Sequence, residues 1–443
     1  MSLDTTHSLA LDDIQKILAV GYGEFDHACY FLISELYNVD RARAYFRAIT
    51  EGMIDAASNK TRAGAEERKA TIAFSFNGLQ TLLDCPEDDL HRFDTAFREG
   101  MSGQHNLRRA RILGDTNPGS TRKGWDWGRN NEIQILLILY ARTEADSQNL
   151  DKTEVPKIEK FAKTVKVEYG YLGEDGKEHF GFRDGIAQPS VEGLRIPRVP
   201  ESIKPGEFIL GYANESGAID DIPGIPGDDT WGKNGSYLVF RKLEQDVKTF
   251  EGLFKGKENP ELLKAKMVGR WQDGSPLTLA PEGNERRLEQ SNDFNYHKFD
   301  QHGYRCPIGA HIRRANPRDS LLKGTRDKSP AAALSNANSH RIIRRGRLYQ
   351  KGTGEAAKKG LLFVCFNASI EDQFEFIQRQ WVNNKKFSKL TNEVDPLIGA
   401  GGKFTIQAPY APKQVDIKEL VTTKAGAYFF LPGLCALKQL LKP

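Results

Sequence analysis

The 443-residue chain has few cysteines, no long apolar run and little net charge. Its five cysteines are scattered and form no C-x-x-C pair. That spacing argues against a disulfide framework, a zinc ribbon and covalent attachment of a c-type haem. No run approaches the ~18 apolar residues of a spanning helix, so we expect no membrane partner. The net charge, 63 − 59 = +4, is too small to predict nucleic acid as a main partner.

The first thirty residues carry no basic region before an apolar core and no twin arginine, the features of export signals. We therefore expect a cytoplasmic protein. The length of the chain predicts two or more domains, since one domain typically takes about 100–200 residues.

Two parts of the chain show a similar alternation of strands and helices. In the first half, residues 28–36, 70–76 and 132–141 are apolar runs of strand length, and residues 42–49 have helical spacing. In the second half, strands are predicted at 236–243, 361–367 and 428–431, and a helical stripe runs from 370 to 381. The sequence predicts an α+β fold, with helices on one face of an antiparallel sheet in each of two similar units.

One acidic residue is enclosed by glycines in the segment GFRDG, residues 181–185. Glycine permits unusual backbone angles and close approach of another group, so Asp184 is predicted to lie on a tight loop between Gly181 and Gly185. The simpler interpretation is a turn with a solvated aspartate, because Gly and Asp favour turns.

His311 and Asp395 are the next candidates for chemistry. His311 stands before two arginines, Arg313 and Arg314, whose charge should depress its pKa and favour the neutral imidazole that a metal requires. Without a metal it is a surface or core histidine. Asp395 precedes a proline in an apolar context, where it is either a turn residue or a carboxylate that orients a ligating histidine.

A basic cluster occupies residues 341–347 and includes Arg344 and Arg345. Such a cluster can bind nucleic acid or phosphate, form a solvated strand edge, or neutralise the carboxylates of a buried ligand. Aromatic residues are not interleaved with the arginines as single-stranded nucleic acid would require. Nucleic acid is therefore the least favoured of the three interpretations.

Four segments, in this order, resemble the signatures of the dye-decolorising peroxidases: GFRDG with the following IAQP, CPIGAHIRRANPRD at 306–319, IIRRGRLY at 342–349, and VDPLIG at 394–399. The resemblance extends from about residue 11 to residue 433. It implies two ferredoxin-like domains in a barrel-like dimeric α+β arrangement, which agrees with the duplication predicted from periodicity. We expect the domains at 1–195, including the GFRDG loop, and 196–443, carrying the haem ligand.

The resemblance implies non-covalent haem b as cofactor. On this basis His311 is similar to the proximal iron ligand of the family, Asp395 to the carboxylate that pairs with it, and Arg313 to a partner of the haem propionates. The glycines Gly181 and Gly185 would let the backbone carry a carboxylate over the flat cofactor.

On the other side of the cofactor, Asp184 resembles the distal acid/base and Arg344 the distal arginine, with Arg345 as the neighbouring candidate. The implied reaction reduces hydrogen peroxide through a ferryl intermediate and oxidises organic donors such as dyes and phenols in one-electron steps. Trp381 and Tyr349 match positions of electron relays in related fungal enzymes, although both also suit packing roles.

Two other functions remain open on the same fold. A haem-handling protein, for storage or iron release, needs the haem ligand but not the pair Asp184 and Arg344. A haem-free interaction protein needs neither. An oligomer is compatible with the sequence under each of these functions.

Overall fold

The computed structural model of the chain describes residues 8–59, 68–102, 107–194, 202–322 and 328–443. Its strands are β1 (His27–Leu36), β2 (Lys69–Phe74), β3 (Ile133–Ala141), β4 (Ala162–Tyr171), β5 (Ser236–Gln245), β6 (Ile343–Arg344), β7 (Arg347–Lys351), β8 (Lys358–Asn367), β9 (Gly402–Ile406), β10 (Lys413–Ile417) and β11 (Val421–Leu431). Its α-helices are α1 (Lys16–Ala19), α2 (Val39–Met53), α3 (Phe76–Leu83), α4 (Thr95–Glu99), α5 (Leu107–Leu113), α6 (Glu144–Ile158), α7 (Val247–Gly252), α8 (Pro260–Val268), α9 (Tyr296–Asp300), α10 (His311–Ala315), α11 (Pro330–Asn338) and α12 (Leu434–Leu440).

Most of the described strands form one closed ring. The neighbours around the ring are β5, β11, β2, β3, β1, β4, β7 and β8, and β8 pairs back to β5. Strand β6 pairs with β8 next to β7, so β6 and β7 act as one strand interrupted at residues 345–346. Closure leaves no free edge on the strands of the ring.

The ring consists of two units with the same strand order. The first unit has the order β4-β1-β3-β2, and the second has the order β11-β5-β8-β7. They meet at two antiparallel contacts, Phe430 with Phe74 and Tyr171 with Leu348. This architecture confirms the predicted ferredoxin-like duplication and barrel. The predicted domain boundary at 195/196 lies outside the described residues.

The two faces of the strands carry two separate cores, because successive side chains of a strand point to opposite faces. On β1, Phe31 and Ile33 pack outward with the helices, in a cluster that also contains Phe46 of α2. Tyr30 and Leu32 point the other way and help to fill the ring. The inner cluster also contains Ile14, Ile17, Leu18, Tyr22 and Phe25, in and around α1.

Several elements differ from the sequence-based expectation: strands β9 and β10 were not predicted, and β6 and β7 form where the basic cluster had three open interpretations. Strand β4 was also not predicted, because Lys163, Lys166 and Glu168 interrupt its apolar pattern. Glu168 turns into the barrel and accepts from Lys242 Nζ at 2.9 Å. Strand β11 is eleven residues long, although only its apolar end was predicted. The helical stripe after β8 exists, but as two π-helical segments, Ile370–Glu375 and Ile377–Val382.

All five cysteines lie in the described residues and are free thiols. Within those residues, each helix is too short or too polar to cross a bilayer.

Candidate active site

A tight hairpin positions Asp184. The backbone N–H of Asp184 donates to Gly176 O at 2.9 Å, which closes the hairpin. The half-buried carboxylate of Glu178 accepts from the N–H groups of Phe180 and Phe182, both at 2.9 Å, and thus fixes this turn. Asp184 follows this turn, and its side chain is half exposed.

The two glycines around Asp184 share a backbone conformation but differ in what surrounds them. Both have positive φ, +87° at Gly181 and +78° at Gly185, where other residues are strained. A Cβ on Gly181 would also lie 2.6 Å from the amide nitrogen of Gln272. At Gly185 a Cβ would meet open space, and the N–H of Gly185 donates to Asp184 Oδ1 at 2.6 Å. Positive φ therefore favours glycine at both positions, and the Gln272 side chain approaches Gly181 closely, whereas Gly185 faces the open side of the loop.

Arg344 meets Asp184 from the second unit. Its Nη2 lies 3.3 Å from Asp184 Oδ1. The neighbouring Arg345 points elsewhere: its guanidinium donates to the carbonyls of Ile17, Leu18 and Ala19 at the end of α1. Of the two arginines left open by the sequence, Arg344 is the one paired with Asp184.

A second pair joins His311 and Asp395. His311 opens α10, and its Nδ1 lies 2.9 Å from Asp395 Oδ2. The other oxygen of Asp395 accepts from the N–H groups of Leu397 and Ile398, so this fully buried carboxylate is fixed by the turn that follows it. With Nδ1 engaged, Nε2 is the nitrogen of His311 that could bind a metal.

Burial and the ion pair act in opposite directions on this second pair. Burial alone lowers the pKa of His311, but Asp395 outweighs it, and the pKa of His311 is raised. Likewise, burial favours a higher pKa for Asp395, but the nearby imidazole lowers it. The expectation that the following arginines depress the pKa of His311 was wrong.

Those arginines are held by backbone carbonyls. The Arg313 guanidinium, 2% exposed, donates to the carbonyls of Asp300 and Cys306. It also lies 4.3 Å from the ring centre of Tyr296. Arg314 is buried and donates to the carbonyls of Trp381 and Glu393. Arg313 is therefore a structural cation, and it is not among the described residues that line the cavity beside Asp184.

That cavity has a volume of about 850 Å³, within the ~300–1,000 Å³ typical of ligand and cofactor sites. Among the residues that line it are Asp184, Gln188, Asn316, Arg318, Arg341 and Arg344. Asn316 follows α10 directly, so the cavity reaches the end of the helix that His311 opens. The charges of Arg344 and Asp184 also act on the pKa of His311, so both pairs share one electrostatic environment.

Positive charge is concentrated on one wall of the cavity. Burial, together with the charges of Arg318 and Arg344, lowers the pKa of Arg341 to about 9. The sequence did not single out Arg318, although it lies in the ANPRD part of the histidine segment. Its positive φ of +50° turns the chain there, and its guanidinium lies 4.0 Å from the ring centre of Phe294.

The two aromatic relay candidates are both buried, each 3% exposed. Trp381 packs edge-on against His340 and Phe376. Tyr349 lies in the inner core of the barrel, with Lys242 Nζ 4.8 Å from its ring centre. Neither side chain is part of the outer surface.

Comparisons with known proteins agree with this architecture. Residues 207–408 match the family model described as the C-terminal part of Dyp-type peroxidase. A dye-decolorizing peroxidase of Mycena epipterygia is 30% identical over 501 residues, covering 98% of this chain and 87% of the relative.

Two crystal structures have the same fold. The DyP-type peroxidase of Auricularia auricula-judae has a TM-score of 0.81 and 25% identity, covering 98% of this chain and 100% of that one. The DyP-type peroxidase of Anabaena sp. has a TM-score of 0.80 and 26% identity, with 97% and 94% covered.

The two-unit α+β barrel shared with these solved structures, and 30% identity to a dye-decolorizing peroxidase over 98% of this chain, make the protein an enzyme of the peroxidase class. More narrowly, the chain belongs to the DyP-type peroxidase family.

Proposed function

We propose that the protein is a haem b peroxidase that reduces hydrogen peroxide and oxidises organic donors in one-electron steps. The observation that carries this proposal is the pair Asp184 and Arg344 on the cavity wall, together with the pair His311 and Asp395 at α10, the helix whose following residue Asn316 lines the same cavity. His311 itself is not among the described residues that line the cavity. Family membership supports it independently. Dyes and phenols are the proposed donors.

The donor set around the cavity fits haem. His311 would hold the iron through Nε2, because Asp395 engages Nδ1. Arg318 and Arg341 bring positive charge to the cavity wall, which suits the carboxylates of the cofactor. We propose these two arginines for that role in place of Arg313. When bound, the haem would supply the redox centre at which the O–O bond of peroxide is cleaved and donors are oxidised.

Asp395 makes His311 a stronger ligand. A carboxylate that accepts from Nδ1 fixes the tautomer and the ring orientation and raises the basicity of Nε2. The two backbone N–H groups on the other oxygen keep this carboxylate from turning away.

Asp184 is proposed to move a proton between the two oxygens of peroxide. Its Oδ1 already receives the Gly185 N–H and faces Arg344, so Oδ2 is the atom that would carry the proton. Its half-exposed side chain also allows transfer through one water. Arg344 would stabilise negative charge as it develops, because a guanidinium stays protonated throughout.

The two units have separate tasks in this proposal. The first, at 1–195, would supply Asp184, and the second, at 196–443, would supply His311, Asp395 and Arg344. For donors too large for the cavity, Trp381 and Tyr349 are proposed as internal relay steps only, since both are buried.

Reconstitution of the full chain with haem tests the proposal. We expect a Soret band and histidine ligation, then a fast spectral change with hydrogen peroxide that a phenolic donor reverses. Haem binding without this reaction would favour a haem-handling protein. No haem binding would favour an interaction protein and overturn the proposal.

A further inference from the structure

The backbone of Arg344 is held by one side chain, Gln188. The Nε2 of Gln188 donates to Arg344 O at 2.9 Å, and the Arg344 N–H donates to Gln188 Oε1 at 3.0 Å. The side-chain amide of Gln188 thus bonds both the backbone N–H and the backbone C=O of Arg344, as the backbone of a neighbouring strand would.

The need for such a partner follows from the position of Arg344 in β6. The next residue, Arg345, donates its N–H to Val364 O in β8 at 2.8 Å. Because backbone groups alternate in direction along a strand, those of Arg344 point away from β8. Its carbonyl also receives Arg345 Nη1 at 3.0 Å, so the N–H depends on Gln188 more than the carbonyl does.

Gln188 itself belongs to the loop that carries Asp184. Two other side chains brace this loop: Asn292 donates to Ile186 O at 2.6 Å, and Arg341 donates to Ala187 O at 2.9 Å. Gln188 therefore stands at the end of a fixed segment that begins with Asp184. Its amide is the direct link from this segment to the backbone of Arg344.

We propose that Gln188 is a positioning residue that sets Arg344 relative to Asp184. The inference rests on the proposed function of those two residues. Loss of the amide leaves the Arg344 N–H without its partner and allows β6 to shift. A shift of about 1 Å between reacting groups can cost on the order of a hundredfold in rate.

Hydrogen exchange of the full chain tests the link without any turnover. In Gln188→Met, which keeps side-chain length but removes both hydrogen bonds, we expect at least tenfold faster exchange at the Arg344 amide. Gln350→Met is the matched control, because Gln350 is exposed on the adjacent strand β7. Unchanged exchange at Arg344 in Gln188→Met would overturn the proposal.

A double-mutant cycle tests whether Gln188 acts through Arg344. After haem reconstitution, we expect Gln188→Met to lower kcat/KM for peroxide about 10- to 100-fold and to weaken cyanide binding, with Soret absorbance retained. In an Arg344→Ala background the same substitution should have little further effect. Additive losses would overturn the proposal.

The cycle separates two failures. If Arg344→Ala keeps full activity, the proposed role of Arg344 is wrong. If Arg344→Ala loses activity and Gln188→Met does not, only the positioning role of Gln188 is wrong.

Discussion

Arg344 Nη2 lies 3.3 Å from Asp184 Oδ1, although the two residues come from different units of the barrel. Asp184 follows the last strand of the first unit, and Arg344 lies in β6 of the second. Strands β4 and β7 meet nearby, through Tyr171 and Leu348. The pair therefore depends on the closure of the barrel, and neither unit alone could form it.

The first prediction concerns proton transfer by Asp184. In Asp184→Asn we expect haem to be retained and peroxidase turnover to fall about 10²- to 10⁴-fold, because an amide cannot shuttle the proton. Stopped-flow reaction with peroxide measures the loss. Asp175→Asn is the matched control, since Asp175 is exposed in the preceding turn. Full activity of Asp184→Asn would contradict the assigned role.

The second prediction concerns the cofactor ligand. His311→Ala should weaken haem retention or change the spin state, because the proposed iron ligand is removed. Asp395→Asn keeps an acceptor near Nδ1 but loses the charge, and we expect about 10- to 100-fold weaker haem binding. Haem titration and the visible spectrum measure both effects. An unchanged spectrum in His311→Ala would rule out ligation by His311.

The third prediction separates the adjacent arginines. Arg344→Lys should lower kcat about 10- to 1,000-fold with little effect on stability, because the guanidinium faces Asp184. Arg345→Lys should change kcat little and lower the free energy of unfolding by about 1–3 kcal/mol, since the Arg345 guanidinium donates to three carbonyls at the end of α1. Thermal unfolding and steady-state kinetics of both variants decide this. Equal kinetic losses would contradict the assignment.

Periodicity predicted most of the fold because the strands that fill the barrel are apolar on both faces, as in β3 and β5. It missed β4 because a charged residue, Glu168, occupies a buried position of that strand. The Glu168 carboxylate accepts from Lys242 Nζ and from Trp127 Nε1. Buried ion pairs between distant strands leave no local pattern in the sequence.

The site shows the same limit. Motif order pointed to Asp184, His311, Arg344 and Asp395, and the structure brings them together as two pairs. It did not distinguish Arg313 from Arg318, because arginine spacing in a short helix and its following turn does not reveal which guanidinium lines the cavity. Both guanidinium groups donate to backbone carbonyls, and of the two only Arg318 lines the cavity. The carbonyls of Asp300 and Cys306 hold Arg313 away from the cavity wall.

The fourth prediction concerns Trp381. If it relays electrons, Trp381→Phe should slow oxidation of bulky dyes while oxidation of small phenols is unchanged. If it only packs, both donors should react at the wild-type rate. The free energy of unfolding should then fall by about 1–2 kcal/mol, because the smaller phenylalanine ring loses part of the contact that Trp381 makes with His340 and Phe376. Parallel kinetics with one dye and one phenol, plus thermal unfolding, distinguish these roles.

The fifth prediction concerns pH and Glu207, which lies outside the proposed site. Burial, together with the nearby acids Glu215, Asp220 and Asp372, raises the pKa of Glu207 from 4.5 to about 7, although the Glu215 N–H acts in the opposite direction. The folded state therefore holds this proton more tightly than the unfolded state does. Stability contributed by the protonated form is complete below pH 4.5 and is lost as the pH rises toward 7.

Glu207→Gln removes this titration while keeping an acceptor for the Glu215 N–H, which donates to Glu207 Oε1 at 2.9 Å. We expect the variant to be about 2 kcal/mol more stable than the wild type at pH 8, with a smaller difference at pH 4, because one pKa unit corresponds to about 1.4 kcal/mol. Denaturant unfolding at both pH values measures the difference, and Glu355→Gln on an exposed turn is the control. A gain that is the same at both pH values would show that ionisation of Glu207 is not its cause.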